Sequence, residues 1–578
     1  MKKGFALLAL MLCAAVARAD VPLPTWNDKA AQTWWAQNPT PDKWPQAVDQ
    51  LRAQLEANYK SNGASAFSDS DFQGWLEHLE WVRLGLDSPD ILADPNNLKT
   101  FVVLGNDTAV SHLFIRKLDP LNVEKQALLN LLKLAQANLD DLNTYAALGV
   151  AFSLVFDKPF PRDWPHHQVD PQAVPVGDLD VVQRFNFYVQ SDRDKKLDLD
   201  LTQQTFENLK FLVDSEVKLS ELTYAQSNPK RIPYDQFDQA FSSIQYDMTR
   251  DKPGKILVNW GLPTYTLKDI ETAGGICIDQ AYYATILGKG LGIPTVSFRG
   301  QGTGGGHAWF GYLSSRGEWQ LDCGKYANQS YPRGYALDPQ TWRWIDDTQL
   351  GNFFKNIETS TNYPAAMTGL AWAGLHQNDP LCRQILDDTR SVMPELSKTW
   401  AIEAEVLRKM GASDDDQKTF YQNWITQFQS FPDLKVEGQE LLLAVLKKTN
   451  DPGADELQQD IVLENRSSDF DQGVLGAAGT IEDKIKAGDW DGAQLEFETT
   501  IRDFGDQGGG SLFYNVIVPY VETCLKNGHV DQADNGLRFV RDRMSVDSST
   551  LLGEGFVKLQ SDVDKQKKSP ADGGNASP

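Results

Sequence analysis

Cys277 stands where a glycine-containing stretch, Ala273-Gly274-Gly275-Ile276, runs into Cys277-Ile278-Asp279-Gln280-Ala281. Thirty residues after the cysteine comes His307, in Gly306-His307-Ala308-Trp309, and fifteen after that comes Asp322, in Trp319-Gln320-Leu321-Asp322. A thiol, an imidazole and a carboxylate in this order are the groups that nucleophilic catalysis through sulfur requires. A free thiol has a pKa of about 8.5, so only a few per cent is thiolate at neutral pH. It needs a base to take its proton, or an electropositive seat such as a helix N-terminus. Cys277, His307 and Asp322 are therefore the candidate catalytic residues.

Cys277 to Gly288 reads as a helix stopped by the glycines at 288, 290 and 292. Cys277, Ala281, Ala284 and Gly288 fall on one small-residue stripe, which lets the helix pack closely on a sheet. Ile293 to Arg299 reads as a strand with Pro294 at its start, where a missing N–H is tolerated. His307 to Leu313 and Glu318 to Asp322 flank Ser314-Ser315-Arg316-Gly317 and predict a hairpin with a four-residue loop. That loop pairs Leu313 with Glu318, Trp309 with Asp322 and His307 with Gly324. His307 and Asp322 then lie on one face as diagonal neighbours, about 7–8 Å apart at the backbone. A slip of one residue sends Asp322 to the other face. In the expected register the carboxylate orients the imidazole and stabilises its cation.

Gly275-x-Cys277-x-Asp279-x-Ala281, Leu291-Gly292-Ile293-Pro294, Gly306-His307-Ala308-Trp309 and Leu321-Asp322 together resemble the transglutaminase-like core of the papain-like thiol enzymes. The resemblance covers about a tenth of the chain, from about 270 to 326. It implies a cysteine nucleophile on a helix, a histidine base on the neighbouring sheet and an aspartate that orients it, at Cys277, His307 and Asp322. Two positions depart from the family. Ile278 follows the cysteine where animal cross-linking enzymes have tryptophan, and Cys323 follows the aspartate where bacterial members often have proline. The implied chemistry is acyl transfer from a peptide or protein amide, with water or an amine as acceptor. The Cys277 N–H is one oxyanion donor; Asn259, Trp260 and Tyr265 are candidates for the second.

Lys2-Lys3, the apolar run Phe5 to Val16 and Ala17-Arg18-Ala19 predict a secretory leader at residues 1–19 and export to a periplasmic or extracellular site. Leu12 before Cys13 argues against a lipid anchor, and no run is long enough to span a membrane. Without the leader 52 basic residues stand against 79 acidic ones, a net charge of −27. Such acidity argues against nucleic-acid binding. At most one disulfide can form among Cys323, Cys382 and Cys524 if Cys277 stays free. No metal site is evident: His166-His167 lie in a Pro/Asp-rich loop without further ligands at suitable spacing, and His78, His112, His376 and His529 read as ordinary helix or turn residues. No cofactor is expected.

The expected architecture is α+β: a papain-like core, helix on antiparallel sheet, at 251–350, between a helical N-terminal domain at 20–250 and a helical domain at 351–561, with a disordered tail at 562–578. Phe206 to Tyr224 reads as one amphipathic helix. Gly488-Asp489-Trp490-Asp491-Gly492-Ala493 and Gly528-His529-Val530-Asp531-Gln532-Ala533 share a turn-to-helix pattern forty residues apart. The pattern resembles tetratricopeptide-type helical pairs, whose usual period is about 34, with a plain helical domain as the alternative. Trp34-Trp35, Trp342 and Trp344 are candidates to line a glycan or peptide groove. Two functions follow. One is an exported cysteine-dependent enzyme acting on amides as a peptidase-like hydrolase or transglutaminase. The other is a silent scaffold whose C-terminal helices bind a protein partner.

Overall fold

The computed structural model describes residues 25–106, 108–120, 124–161, 169, 172–228, 230–247, 260–302, 305–327, 334–468, 470–505, 512–544 and 551–568. The expected leader lies outside them. The fold is α+β, many helices around one small antiparallel sheet of five strands. Three helices position the site: α1 (Phe206–Val213), α2 (Cys277–Gly290) and α3 (Asp347–Asn352). The strands are β1 (Thr295–Gly302), β2 (Gly305–Leu313), β3 (Trp319–Cys323), β4 (Tyr335–Leu337) and β5 (Trp344–Asp346), in the order β3-β2-β1-β4-β5.

The sheet is covered on both faces. Ala308, Phe310 and Tyr312 join the core that contains α2, while Val296, Phe298 and Trp309 pack with Phe211 and Leu350 from α1 and α3. The small-residue stripe of α2 does what its composition allows. A Cβ on Gly288 would lie 2.4 Å from the Thr295 side chain, so the helix rides directly on the start of β1. Every residue of α2 after Cys277 is buried. The main core runs from Trp34 to Val406 through the N-terminal helices, α2 and the helices Tyr363–Leu375 and Leu381–Val392. The expected boundaries at 250/251 and 350/351 therefore fall inside continuous packing.

The expected Phe206–Tyr224 helix is two helices, α1 and Leu219–Ser227. The break serves the far end of α2. Lys289 is fully buried and donates to the carbonyls of Phe211 (2.6 Å) and Thr295 (3.0 Å) and to the carboxylate of Asp214, the residue at which α1 ends. Three acceptors match the three protons of an ammonium group. Burial pushes Asp214 up to about 6 and Lys289 down, and their mutual attraction opposes both shifts.

The C-terminal part is helical, and among its described residues one helix ending recurs. Gly411, Asn450, Gly488 and Gly528 each end a helix in the left-handed region, spaced 39, 38 and 40 residues apart. Each terminus carries the same paired hydrogen bonds, for example Gly488 N–H to Ile485 and Asp489 N–H to Lys484, matched by Gly528 to Leu525 and His529 to Cys524. Four helical hairpins thus recur at a longer interval than the tetratricopeptide period of about 34. The last helix runs Leu551–Lys568, so residues 562–568 of the tail expected to be disordered are helical, and the rest of that tail lies outside the described residues. Leu559 and Val563 are buried in the C-terminal core, with Phe556 packed against it, and this apolar stripe holds the helix in place. Among the described residues no helix is long and apolar enough to cross a membrane.

Removing one partner of a buried ion pair costs about 3–5 kcal/mol. Lys289→Met should lower stability by that order in urea denaturation; a loss under 1 kcal/mol would show that the Asp214 contact is not needed to close α2.

Candidate active site

The backbone before Cys277 is clipped to a neighbouring segment. Gly275 N–H donates to Gln245 carbonyl (3.0 Å), and Asp247 N–H donates to Gly275 carbonyl (2.9 Å). Gly274 sits at φ 77°, and a Cβ there would lie 2.5 Å from the Gln245 oxygen. Gly275 is needed for a different reason: a Cβ would lie 2.5 Å from Asp279 Cβ. Asp279 is fully buried and bends back over the helix start. Its carboxylate accepts from Ile276 N–H (2.8 Å) and from the Tyr265 hydroxyl (2.7 Å). Ile276, at the cap, has no side-chain acceptor to offer, so Asp279 does the capping from inside the first turn. The sequence motif contained Asp279, but its role emerges only from this geometry.

Cys277 is the first residue of α2, half-buried and in no disulfide. Helical geometry directs the Cys277 and Ile278 amides out of the helix end, where they can receive negative charge. Of the expected second oxyanion donors, Tyr265 spends its proton on Asp279, and Trp260 gives its indole N–H to the Thr264 carbonyl (2.8 Å). Asn259 lies outside the described residues.

His307 is in β2 and 6% exposed. Its ring lies beside Phe241, Trp309 and Tyr326, with centroids 6.1, 6.0 and 4.2 Å away. Nε2 makes a 2.8 Å hydrogen bond with the Gly324 carbonyl. A carbonyl can only accept, so Nε2 carries the proton and Nδ1 of the neutral ring carries the lone pair. Burial lowers the His307 pKa from its ordinary value of about 6.5, partly offset by the Gly324 carbonyl. The ring is then neutral and basic at pH 7. One short segment joins it to the head of α2: Phe241 packs on His307, Ile244 accepts from the Gln280 side-chain amide (2.7 Å), and Gln245 and Asp247 hold Gly275.

Asp322 does not orient the ring. Its side chain is 76% exposed and pairs with Lys325 at 2.6 Å. The hairpin register explains the correction. Gly317, at φ 78°, closes a three-residue loop in which Gly317 N–H bonds Ser314 carbonyl and Ser314 N–H bonds Glu318 carbonyl. Leu313 therefore faces Trp319 rather than Glu318, and Tyr312 faces Gln320. A bulge then opens between 320 and 323, so that Phe310 faces Cys323. The single slip turns Trp319 and Leu321 toward the apolar face under Trp309. Beyond the bulge Asp322 lies in solvent, and the Gly324 carbonyl meets the histidine.

The other thiols are not poised to react. Burial pushes Cys323 and Cys382 up to about 12 and Cys524 up to about 11, and all four cysteines are in no disulfide, so none of the considered pairings is formed. His78 is enclosed by Trp26, Trp34, Trp35 and Trp75, and burial lowers its pKa to about 3. Trp34 and Trp35 are thus core residues, whereas Trp344 is 59% exposed. His166 and His167 lie outside the described residues. Among the described residues no group of three or more His, Cys, Asp or Glu is placed to hold a metal. Comparison with protein-family models, with curated proteins and with solved structures finds no match.

Nitrogen-detected NMR of His307 should show the Nε2–H tautomer and a titration midpoint below 6.5. An Nδ1–H tautomer would contradict the Gly324 contact as the orienting bond, and a midpoint at or above 6.5 would contradict burial as the dominant influence on the ring.

Proposed function

We propose that the chain is a cysteine-dependent acyl-transfer enzyme acting on amides of peptides or proteins, with Cys277 as nucleophile and His307 as base in a papain-like arrangement. The observation that carries this reading is the His307–Gly324 hydrogen bond, which leaves the basic lone pair on Nδ1 of a neutral, buried ring. The thiol at the first turn of a buried helix supports it further. Sulfur attacks the amide carbonyl as the thiol proton passes to Nδ1. The oxyanion is received by amides at the helix start, and the imidazolium returns the proton to the departing amine. A thioester remains on Cys277. Water releases it as an acid, making a hydrolase, and an amine releases it as a new amide, making a transglutaminase.

Asp322 has no part in this scheme, and a neutral carbonyl takes the orienting role. A carbonyl dipole stabilises imidazolium less than a carboxylate does, so the resting pair is thiol and neutral imidazole rather than an ion pair. The expected leader, if present, carries this chemistry outside the cytoplasm.

The repeat favours a second reading, a scaffold. Stacked helical hairpins present extended binding surfaces, and four of them follow the sheet-containing part. In that case capture of a protein partner survives Cys277→Ala and is lost when the repeats are removed.

Iodoacetamide labelling separates the two. General base assistance contributes about 10²–10⁴-fold. Cys277 should alkylate well below pH 8, His307→Ala should slow it about 10²-fold or more, and Asp322→Asn should change it less than about threefold. An ordinary thiol titration, indifferent to His307, would defeat the enzyme reading.

A further inference from the structure

The outer edge of β3 forms the floor of a cleft of about 910 Å³. Its two walls stand on opposite faces of the sheet. On the α2 face the 3-10 segment Tyr234–Ala240 is anchored by Phe237, whose ring packs on Phe310 and Tyr312 at 6.0 and 5.4 Å, and it presents Asp235 and Asp238 to the cleft. On the other face α3 is anchored by Leu350 in the core under Trp309 and presents Asp347 and Thr348. The floor runs along Trp319 to Gly324. β3 is the last strand of the sheet on this side, and among the described residues it pairs only with β2. The edge is open at Trp319, while the Leu321 carbonyl accepts from the Trp309 indole N–H (3.0 Å); a trough along this edge, walled above and below the plane of the sheet, has the shape of a short further strand.

Backbone phase supports this. Ser314 N–H bonds Glu318 carbonyl (2.8 Å), so in an antiparallel ladder the next residue, Trp319, turns its own N–H and carbonyl outward into the cleft. The opposite sheet edge, β5, is only three residues long. The walls differ in charge. Asp347 is engaged by Lys325 (3.0 Å), which also pairs with Asp322. Asp235 and Asp238 are exposed and leave their wall negative. A strand lying in the trough points alternate side chains at alternate walls.

We propose that this trough binds an extended polypeptide by strand addition to β3, and that it selects chains with lysine or arginine at every second position, facing Asp235 and Asp238. The inference deepens the thiol reading of the site and rests on it for its functional meaning: the trough ends at Gly324, whose carbonyl holds His307, so a bound strand is delivered toward the proposed reaction centre.

The test uses the full chain carrying Cys277→Ala, so that binding is measured without turnover. The probe is a ten-residue peptide of alternating lysine and valine. Its comparators are the glutamate–valine peptide and a lysine–valine peptide N-methylated at alternate amides. Calorimetry should show the lysine–valine peptide binding at least about tenfold more tightly than either comparator, because strand addition needs both main-chain hydrogen bonds and the charge match. Hydrogen exchange over 318–324 should slow on binding. The Asp235→Lys/Asp238→Lys variant should reverse the preference toward the glutamate–valine peptide. Equal binding of all three peptides, binding without protection of 318–324, or no binding of the lysine–valine peptide overturns the inference. The two claims fail separately. Strand binding beside an inert Cys277 leaves the trough standing and removes the enzyme. Amide turnover untouched by the Asp235/Asp238 variant leaves the enzyme and removes the trough.

Discussion

The structure depends on one helix being buried along its whole length after its first residue. α2 is buried from Ile278 to Gly290, and the protein supplies partners for its ends from within. At the start, Asp279 folds back to the Ile276 amide and is itself held by Tyr265. At the end, Lys289 gathers two carbonyls and Asp214. These contacts reach into the loop before the helix, α1 and β1, and so fasten three distant parts of the chain to the same rod. A buried charge left without its partner is far more costly than an exposed one. The helix therefore has a single seat, and the thiol at its head is placed by the same constraint.

The histidine is placed by different means. Its orienting partner is a main-chain carbonyl just after β3, past the bulge in that strand. Burial among mostly apolar side chains favours the uncharged ring, and the Gly324 carbonyl opposes this only in part. Such a histidine suits a base that accepts a proton during the reaction rather than one already paired with thiolate. The bulged residues also leave Asp322 exposed and lie in the floor of the cleft.

The elements of the site were legible in the sequence; its register was not. The helix beginning at Cys277 is marked by Gly274 and Gly275 before it and by the small residues along it, and it forms where expected. The strands carrying His307 and Asp322 are marked by alternation, and they pair as a hairpin. What failed was a single loop length. Gly317 takes the left-handed conformation and shortens the loop to three residues, and nothing in the types of Leu321 and Asp322 announces a bulge. Gly324 was expected opposite His307, but its carbonyl was not legible as the orienting acceptor, because a carbonyl belongs to every residue. The repeat was half visible: Gly488 and Gly528 share following residues, whereas Gly411 and Asn450 reach the same helix ending through different sequence. The helix runs past the expected boundary at 562 because Val563 continues the apolar face of Phe556 and Leu559, a single residue that the surrounding charges outweighed.

The central claim is that Cys277 carries an acyl group in the course of the reaction. Rapid-quench mass spectrometry of the full chain, mixed with a glutamine-containing peptide, reads this directly. The account predicts an adduct on the Cys277 peptide equal to the substrate less ammonia, labile to hydroxylamine and absent in His307→Ala. An unmodified Cys277 under turnover, or an adduct that forms equally fast without His307, would contradict it.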